Sequence, residues 1–155
     1  MGLTQQDVIY FVIVDRFFSA DQPDPLVRRT VDPSNPRRYH GGNLDGLREK
    51  IPYLQQLGVT AVWITPVYQQ IDTKDADGYH GYWALDFNAV DPHFYVRKEK
   101  RQRGSKLYVR DLARALHDAG MKLVLDMVVN HTGYGHPGLT NASPNPTPIR
   151  RHWFN

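Results

Sequence analysis

Two short stretches of this chain gather residue types that could do chemistry. The first is Lys122 to His131, KLVLDMVVNH, where a carboxylate (Asp126), an amide (Asn130) and an imidazole (His131) interrupt and close an otherwise apolar run. Such a run of Leu, Val and Met reads as a strand covered on both faces. An acid within it must be paired or hydrogen-bonded. With side chains alternating, Asp126, Val128 and Asn130 share one face, which sets a carboxylate and an amide oxygen close together at the C-terminal end of the strand. In parallel α/β folds that end carries binding and chemistry. The second stretch is Gly78 to Phe87, GYHGYWALDF, with Tyr79, His80, Tyr82 and Trp83 around Gly81. Sugar rings present an apolar face that packs on aromatic rings and a rim of hydroxyls that His and Tyr can hydrogen-bond. Each stretch also has a plainer reading. Asp, Asn and His can serve a strand's packing alone, and loop aromatics commonly pin a loop to its domain.

The elements that must position these residues follow in order along the chain. Val8 to Val14 (VIYFVIV) is β-branched and aromatic and reads as a buried strand ending at Asp15. Phe18 to Gly42 is a long loop punctuated by Pro23, Pro25, Pro33, Pro36 and Gly41-Gly42. Asp21, Asp24 and Asn43 in or beside it are oxygen donors suited to a hard cation such as calcium. Asn43 to Leu57 reads as a helix with Asn43 as N-cap, Gly58 as stop and a kink at Pro52. Its apolar face is Leu44, Leu47, Ile51, Leu54 and Leu57. Val59 to Thr65 is the next buried strand, and strand, helix, strand with a short turn predicts a right-handed unit with parallel strands. Val67 to Phe94 shows little regular periodicity but many aromatics. A second helix runs from Leu107 to Ala119 with Leu112, Leu116 and Ala119 on one face and Gly120 as stop. Lys122 to His131 is then the third parallel strand. Beyond His131 the chain turns rich in Pro, Ser and Asn.

Composition excludes several classes. There is no cysteine, hence no disulfide framework and no thiolate site. The formal charge is +3 and the pI about 9.2, with the basic residues concentrated in RKEKRQRGSK from Arg97 to Lys106. That run reads as a solvated loop or helix face. No helix-turn-helix, zinc-ligand or aromatic RNA-platform pattern accompanies it, so nucleic acid is not an expected partner. Val8 to Val14 is too short to span a bilayer. The N-terminal residues lack a secretory pattern, and the expectation is a cytoplasmic protein without a membrane partner.

The residues also carry a resemblance. DMVVNH, Asp126 to His131, resembles the first sequence signature of the α-amylase family of glycoside hydrolases, glycoside hydrolase family 13. Ile9-Tyr10 followed by Asp15-Arg16-Phe17 resembles that family's opening strand. YHGYW, Tyr79 to Trp83, is similar to the loop of α-amylases and cyclodextrin glucanotransferases. The resemblance implies an α/β fold comprising the first three βα units of a (β/α)₈ TIM barrel, incomplete, over residues 1–131, with the start of a loop-rich domain B at 132–155. It implies that His80 and Tyr82, with Trp83 beside them, line a sugar subsite and that His131 hydrogen-bonds sugar hydroxyls. Asn130 resembles a calcium ligand between barrel and domain B, with Asp21 and Asn43 as candidates for a further calcium. Asp126 resembles a buried acid that supports an active-site Arg. The family's nucleophile, acid/base and third acid belong to later strands, so no catalytic residue carries over to this chain. The implied function is the N-terminal part of a retaining glycoside hydrolase or transglycosylase acting on α-1,4-glucans (starch, maltodextrin or cyclodextrin), inactive alone. The implied partners are an α-glucan and the missing C-terminal part of the barrel. The alternatives are a truncated non-catalytic remnant and a carbohydrate-binding module.

Overall fold

A computed structural model describes residues 2–21, 24, 26–27, 30–71, 77–96, 98 and 101–133. The elements run β1 (Ile9–Val12), α1 (Val14–Phe17), α2 (Leu44–Glu49), α3 (Ile51–Gln56), β2 (Ala61–Ile64), β3 (Tyr68–Gln70), β4 (Ala84–Val90), a 3₁₀ turn at Pro92–Phe94, α4 (Leu107–Asp118) and β5 (Lys122–Leu125). β1, β2 and β5 form a parallel sheet in the order β1-β2-β5, with Phe11, Trp63 and Val124 in register. These are the three strands of the expected βα units, with helices following the first two among the described residues. The expected 132–155 segment lies outside the described residues apart from Thr132 and Gly133.

One face of the sheet is covered by helices. Val12, Val62 and Ile64 join Leu44, Leu47 and Leu54 from α2 and α3 and Leu112 and Leu116 from α4 in a single buried cluster. The helical periodicity read from the sequence thus lands inward, and Tyr108 adds a buried aromatic to the same α4 face. Asn43 caps α2 as expected, its side chain accepting from Gly46 N–H at 2.7 Å. The helix breaks at Lys50, two residues before Pro52, because Pro52 can supply no N–H and fits only the first turn of the restarted α3. The other face of the sheet carries Ile9, Phe11 and Trp63, with Phe11 45% and Trp63 39% exposed and their rings 5.1 Å apart in a T-shaped pair. Near the N-terminal ends of the strands, Asp7 accepts from Lys122 Nζ (2.6 Å) and Thr60 Oγ1 (2.8 Å), tying β5 and β2 to the segment before β1. The bond from Lys122 is the main reason that its carboxyl stays well below the usual range.

Four expectations need correction. β1 ends at Val12 rather than Val14, because Val14 starts α1 and its N–H turns to Thr65 Oγ1 at 3.3 Å. The region 67–94 is not irregular: β3 and β4 pair antiparallel, with register shifts on both sides of Gln69 that hide the alternation. The third strand stops at Leu125, and Leu125, Met127 and Val129 are 54%, 56% and 61% exposed rather than covered on both faces. Its pairing partner β2 ends opposite it at Ile64, and after Asp126 N–H reaches Ile64 O at 3.3 Å there is no further ladder to hold extended backbone. Finally, the basic run is not simply solvated. Lys98 and Arg101 pair with Asp111 at 3.4 and 2.6 Å, Arg101 also lies over Tyr108 at 4.8 Å, and Arg103 pairs with Asp24 at 3.4 Å.

Among the described residues the outer edge of β5 has no strand partner, and an unpaired edge beside apolar surface invites association with other chains. Sedimentation of the purified chain should therefore show concentration-dependent association that Val124→Lys reduces. A monomer at all concentrations would refute this.

Candidate functional site

The aromatic stretch sits in the turn that leads into β4, held from beneath by backbone geometry. Gly81 has φ +88°, and a Cβ there would lie 2.0 Å from Pro66 O, so only glycine lets the turn approach the end of β2 this closely. Gly81 N–H closes the turn on Gly78 O at 2.8 Å. Gln70 supports it from β3: its Oε1 accepts from Trp83 N–H at 2.8 Å, while its own N–H donates to Asp91 Oδ2 at 2.7 Å. Arg38 pairs with the buried Asp77 at 2.9 Å and ties the turn to the long loop after α1.

The two stretches singled out by residue type meet at Tyr82. Its hydroxyl donates to Asp126 Oδ2 at 2.8 Å, and its carbonyl accepts from His131 Nε2 at 2.9 Å. Its own N–H donates to His80 Nδ1 at 3.0 Å. Burial and then the Asp126 carboxylate push the phenol up to about 12, so Tyr82 keeps its proton and acts as a donor. Burial, followed by the charge of Asp126, likewise raises Tyr68. Because a carbonyl only accepts, His131 carries its proton on Nε2 when neutral and leaves Nδ1 for a ligand. His80 has the complementary tautomer, with Nδ1 accepting and Nε2–H available to donate. Its ring lies 4.6 Å from Trp83 edge-on, 5.8 Å from Tyr82 stacked and 5.0 Å from Tyr79 edge-on. Burial, reinforced by the Arg16 charge, depresses its basicity below the ordinary imidazole value. Gly133 completes the tie, its N–H bonding Ala84 O at 2.7 Å, at a point where a Cβ would meet Trp83 O at 2.4 Å. The result is a half-buried platform of three aromatic side chains edged by two imidazoles with opposite hydrogen-bond character.

The remaining predicted site residues are placed differently. Asn130 is exposed and Asp126 half-buried, and Asp126 serves Tyr82. Asn43 is buried with its oxygen spent on the α2 cap, and Asp21 is exposed, its carbonyl accepting from Ser19 Oγ at 2.9 Å. Among the described residues no three Asp, Glu or His side chains converge. The residues that composition and motif undervalued are Asp15 and Arg16. Asp15 is buried and accepts from His40 N–H (3.0 and 2.9 Å) and Gly41 N–H (3.1 Å). Burial pushes its carboxyl up, and these bonds and Arg16 oppose the shift. The Asp15–Arg16 pair, 3.3 Å apart, is the local ion pair that adjacent residues suggest. The reach of Arg16 onto Tyr79 has no signature in spacing.

The family model described as the alpha amylase catalytic domain matches residues 11–155. This chain belongs to the alpha-amylase family. Among curated relatives, the cyclomaltodextrin glucanotransferase of Klebsiella oxytoca is 39% identical over 135 residues, and alpha-amylase mde5 of Schizosaccharomyces pombe is 41% identical over 133. Each alignment covers 83% of this chain, but only 19% and 22% of the respective relative, so the chain spans about a fifth of their length. Among solved structures, an Anoxybacillus alpha-amylase is similar with a TM-score of 0.68 and 40% identity, over 84% of this chain and 25% of that one. The Geobacillus thermoleovorans alpha-amylase, complexed with acarbose, has a TM-score of 0.67 and 38% identity, over 84% and 24%. The three parallel strands with helices on one face are thus the opening portion of the (β/α)₈ barrel of the alpha-amylase family.

The depressed basicity of His80 makes a signed prediction. Between the ordinary imidazole value and the lower folded-state value, the unfolded chain binds the proton and the folded chain does not, so stability rises with pH. Stability should be full above the ordinary imidazole range, fall as pH drops through that window and level off below it. Urea unfolding across pH should show this slope, and His80→Gln should flatten it.

Proposed function

We propose that this chain forms the saccharide-facing platform of an α-glucan-active enzyme that retains anomeric configuration, either a hydrolase or a transglycosylase of α-1,4-linked glucans. The observation that carries the reading is the Tyr82 hub, because it joins the aromatic turn to His131 and gives one surface both ring faces and paired donor and acceptor imidazoles. A pyranose laid on this surface packs its apolar face against Tyr82 and Trp83, takes a donor bond from His80 Nε2–H and gives a hydroxyl proton to His131 Nδ1. The names of the relatives, amylases and a glucanotransferase, agree with a glucan as ligand.

The chemistry of retention needs two carboxyl groups about 5 Å apart, one as nucleophile and one as acid then base. In this reading Asp126 is neither: its Oδ2 holds the Tyr82 hydroxyl, so its part is to orient the platform. The acids that cleave the bond are assigned to later strands of a complete barrel, and residues 1–155 alone bind without turning over.

Tryptophan fluorescence should report binding of maltoheptaose to the purified chain. Tyr82→Ala should weaken it by about 1.4 kcal/mol, or tenfold, the scale of one lost aromatic contact. No reducing sugar should be released from starch. Saccharide affinity unchanged in Tyr82→Ala, or hydrolysis by the chain alone, would refute the reading.

A further inference from the structure

We infer that Arg16 is a positioning residue of the saccharide platform, acting through the ring of Tyr79 to fix the plane of His80 and hence the direction of its Nε2–H. The inference rests on the platform reading above and adds a residue that meets the platform through Tyr79. Three observations carry it. The guanidinium carbon lies 3.9 Å from the centroid of the Tyr79 ring, close enough for a stacked cation–π contact. Two of the three guanidinium nitrogens are committed to the protein: Nη2 donates to the carbonyls of Pro36 (3.0 Å) and Arg38 (2.9 Å), and Nε pairs with Asp15 at 3.3 Å. On the other side, Tyr79 meets His80 edge-on at 5.0 Å, and His80 is pinned at Nδ1 by Tyr82 N–H.

A surface ion pair would not hold an arginine this way. Arg16 Nη1 is buried without a hydrogen-bond partner among the described residues, a desolvation cost that the other contacts must offset. Rotation of Tyr79 would remove one wall of the His80 box, leaving Trp83 and Tyr82 to hold the imidazole alone. The charge matters as well as the plane. Burial first and the fixed cation of Arg16 second disfavour a charged imidazole at His80, which favours the form with one defined donor and one acceptor. Among the described residues, the titratable groups linked to the imidazole through its ring contacts are Arg16, with its partner Asp15, and, across Tyr82, Asp126 and His131. A lysine cannot reproduce the arrangement, since it lacks both the planar stack and the fork of donors.

The test is a double-mutant cycle on the 155-residue chain with two readouts, maltoheptaose affinity by fluorescence and His80 titration by side-chain ¹⁵N NMR. Arg16→Met and Tyr79→Leu should each lower affinity by about tenfold, and the double variant by little more than either, because both break one path. Arg16→Met should also move the His80 titration upward while the amide spectrum stays that of the folded chain, which separates the effect from unfolding, since unfolding would itself return the imidazole to its ordinary value. Arg16→Lys should keep the native titration but lose affinity, and it carries the test if Arg16→Met does not fold. Additive losses, an unmoved His80 titration in Arg16→Met, or native affinity in Arg16→Lys would each overturn the inference. If the native chain binds no maltoheptaose, the platform reading fails, while the His80 titration still decides whether Arg16 governs that imidazole.

Discussion

The site depends on the two-ended tie at Tyr82. One residue donates its hydroxyl to Asp126 beyond β5 and receives His131 at its carbonyl, so the aromatic turn and the end of the third parallel strand hold each other. Neither segment has a ladder of its own to stiffen it. β5 ends at Leu125, and the YHGYW turn is irregular until β4 begins at Ala84. A few side-chain bonds in a partly desolvated setting therefore supply the rigidity that backbone hydrogen bonds supply elsewhere. Burial, and then the bond to the Asp126 carboxylate, suppress ionisation of the Tyr82 phenol, so the proton that makes this bond stays in place.

The tie is possible because the sheet brings the two segments to the same end. β1, β2 and β5 run parallel and in register, so the residues that follow each strand gather at one edge: Asp15 and Arg16 after β1, the approach to the turn after β2, and Asp126 to His131 after β5. That is the general reason why binding gathers at the C-terminal ends of strands in such folds. The buried cluster beneath, built from Val12, Val62 and Ile64 against α2, α3 and α4, holds those strand ends in place without entering the site. The aromatic pair Phe11 and Trp63 lies on the sheet face opposite this cluster.

The basic run from Lys98 illustrates how charge counting misreads a segment. Lys98 and Arg101 converge on Asp111, Arg101 lies over Tyr108, and Tyr108 stacks on Tyr95 at 3.9 Å. Tyr95 in turn accepts from Gly104 N–H through its hydroxyl at 3.0 Å. Long basic side chains lay their stems along apolar surface and keep their charge at the rim. The segment clasps the start of α4 to the rest of the fold, with Lys98, Arg101 and Arg103 paired to Asp111 and Asp24.

Much of this protein was determined by its sequence alone. The helix faces of α2, α3 and α4, the cap at Asn43, the stops at Gly58 and Gly120 and the parallel order of the strands follow from periodicity and local turn chemistry, which act over a few residues. The motifs DMVVNH and YHGYW also marked the residues of the candidate site and its family. Only the tertiary structure decided which of those residues meet. Tyr82 and Asp126 are 44 positions apart, and Arg16 and Tyr79 still further, so no local rule relates them. The early end of β5 was decided the same way, because a strand persists only as far as its neighbour pairs with it, and β2 stops at Ile64. Hydrogen-bond partners and ring contacts between distant segments depend on how the chain packs, and packing is a property of the whole fold rather than of any stretch within it.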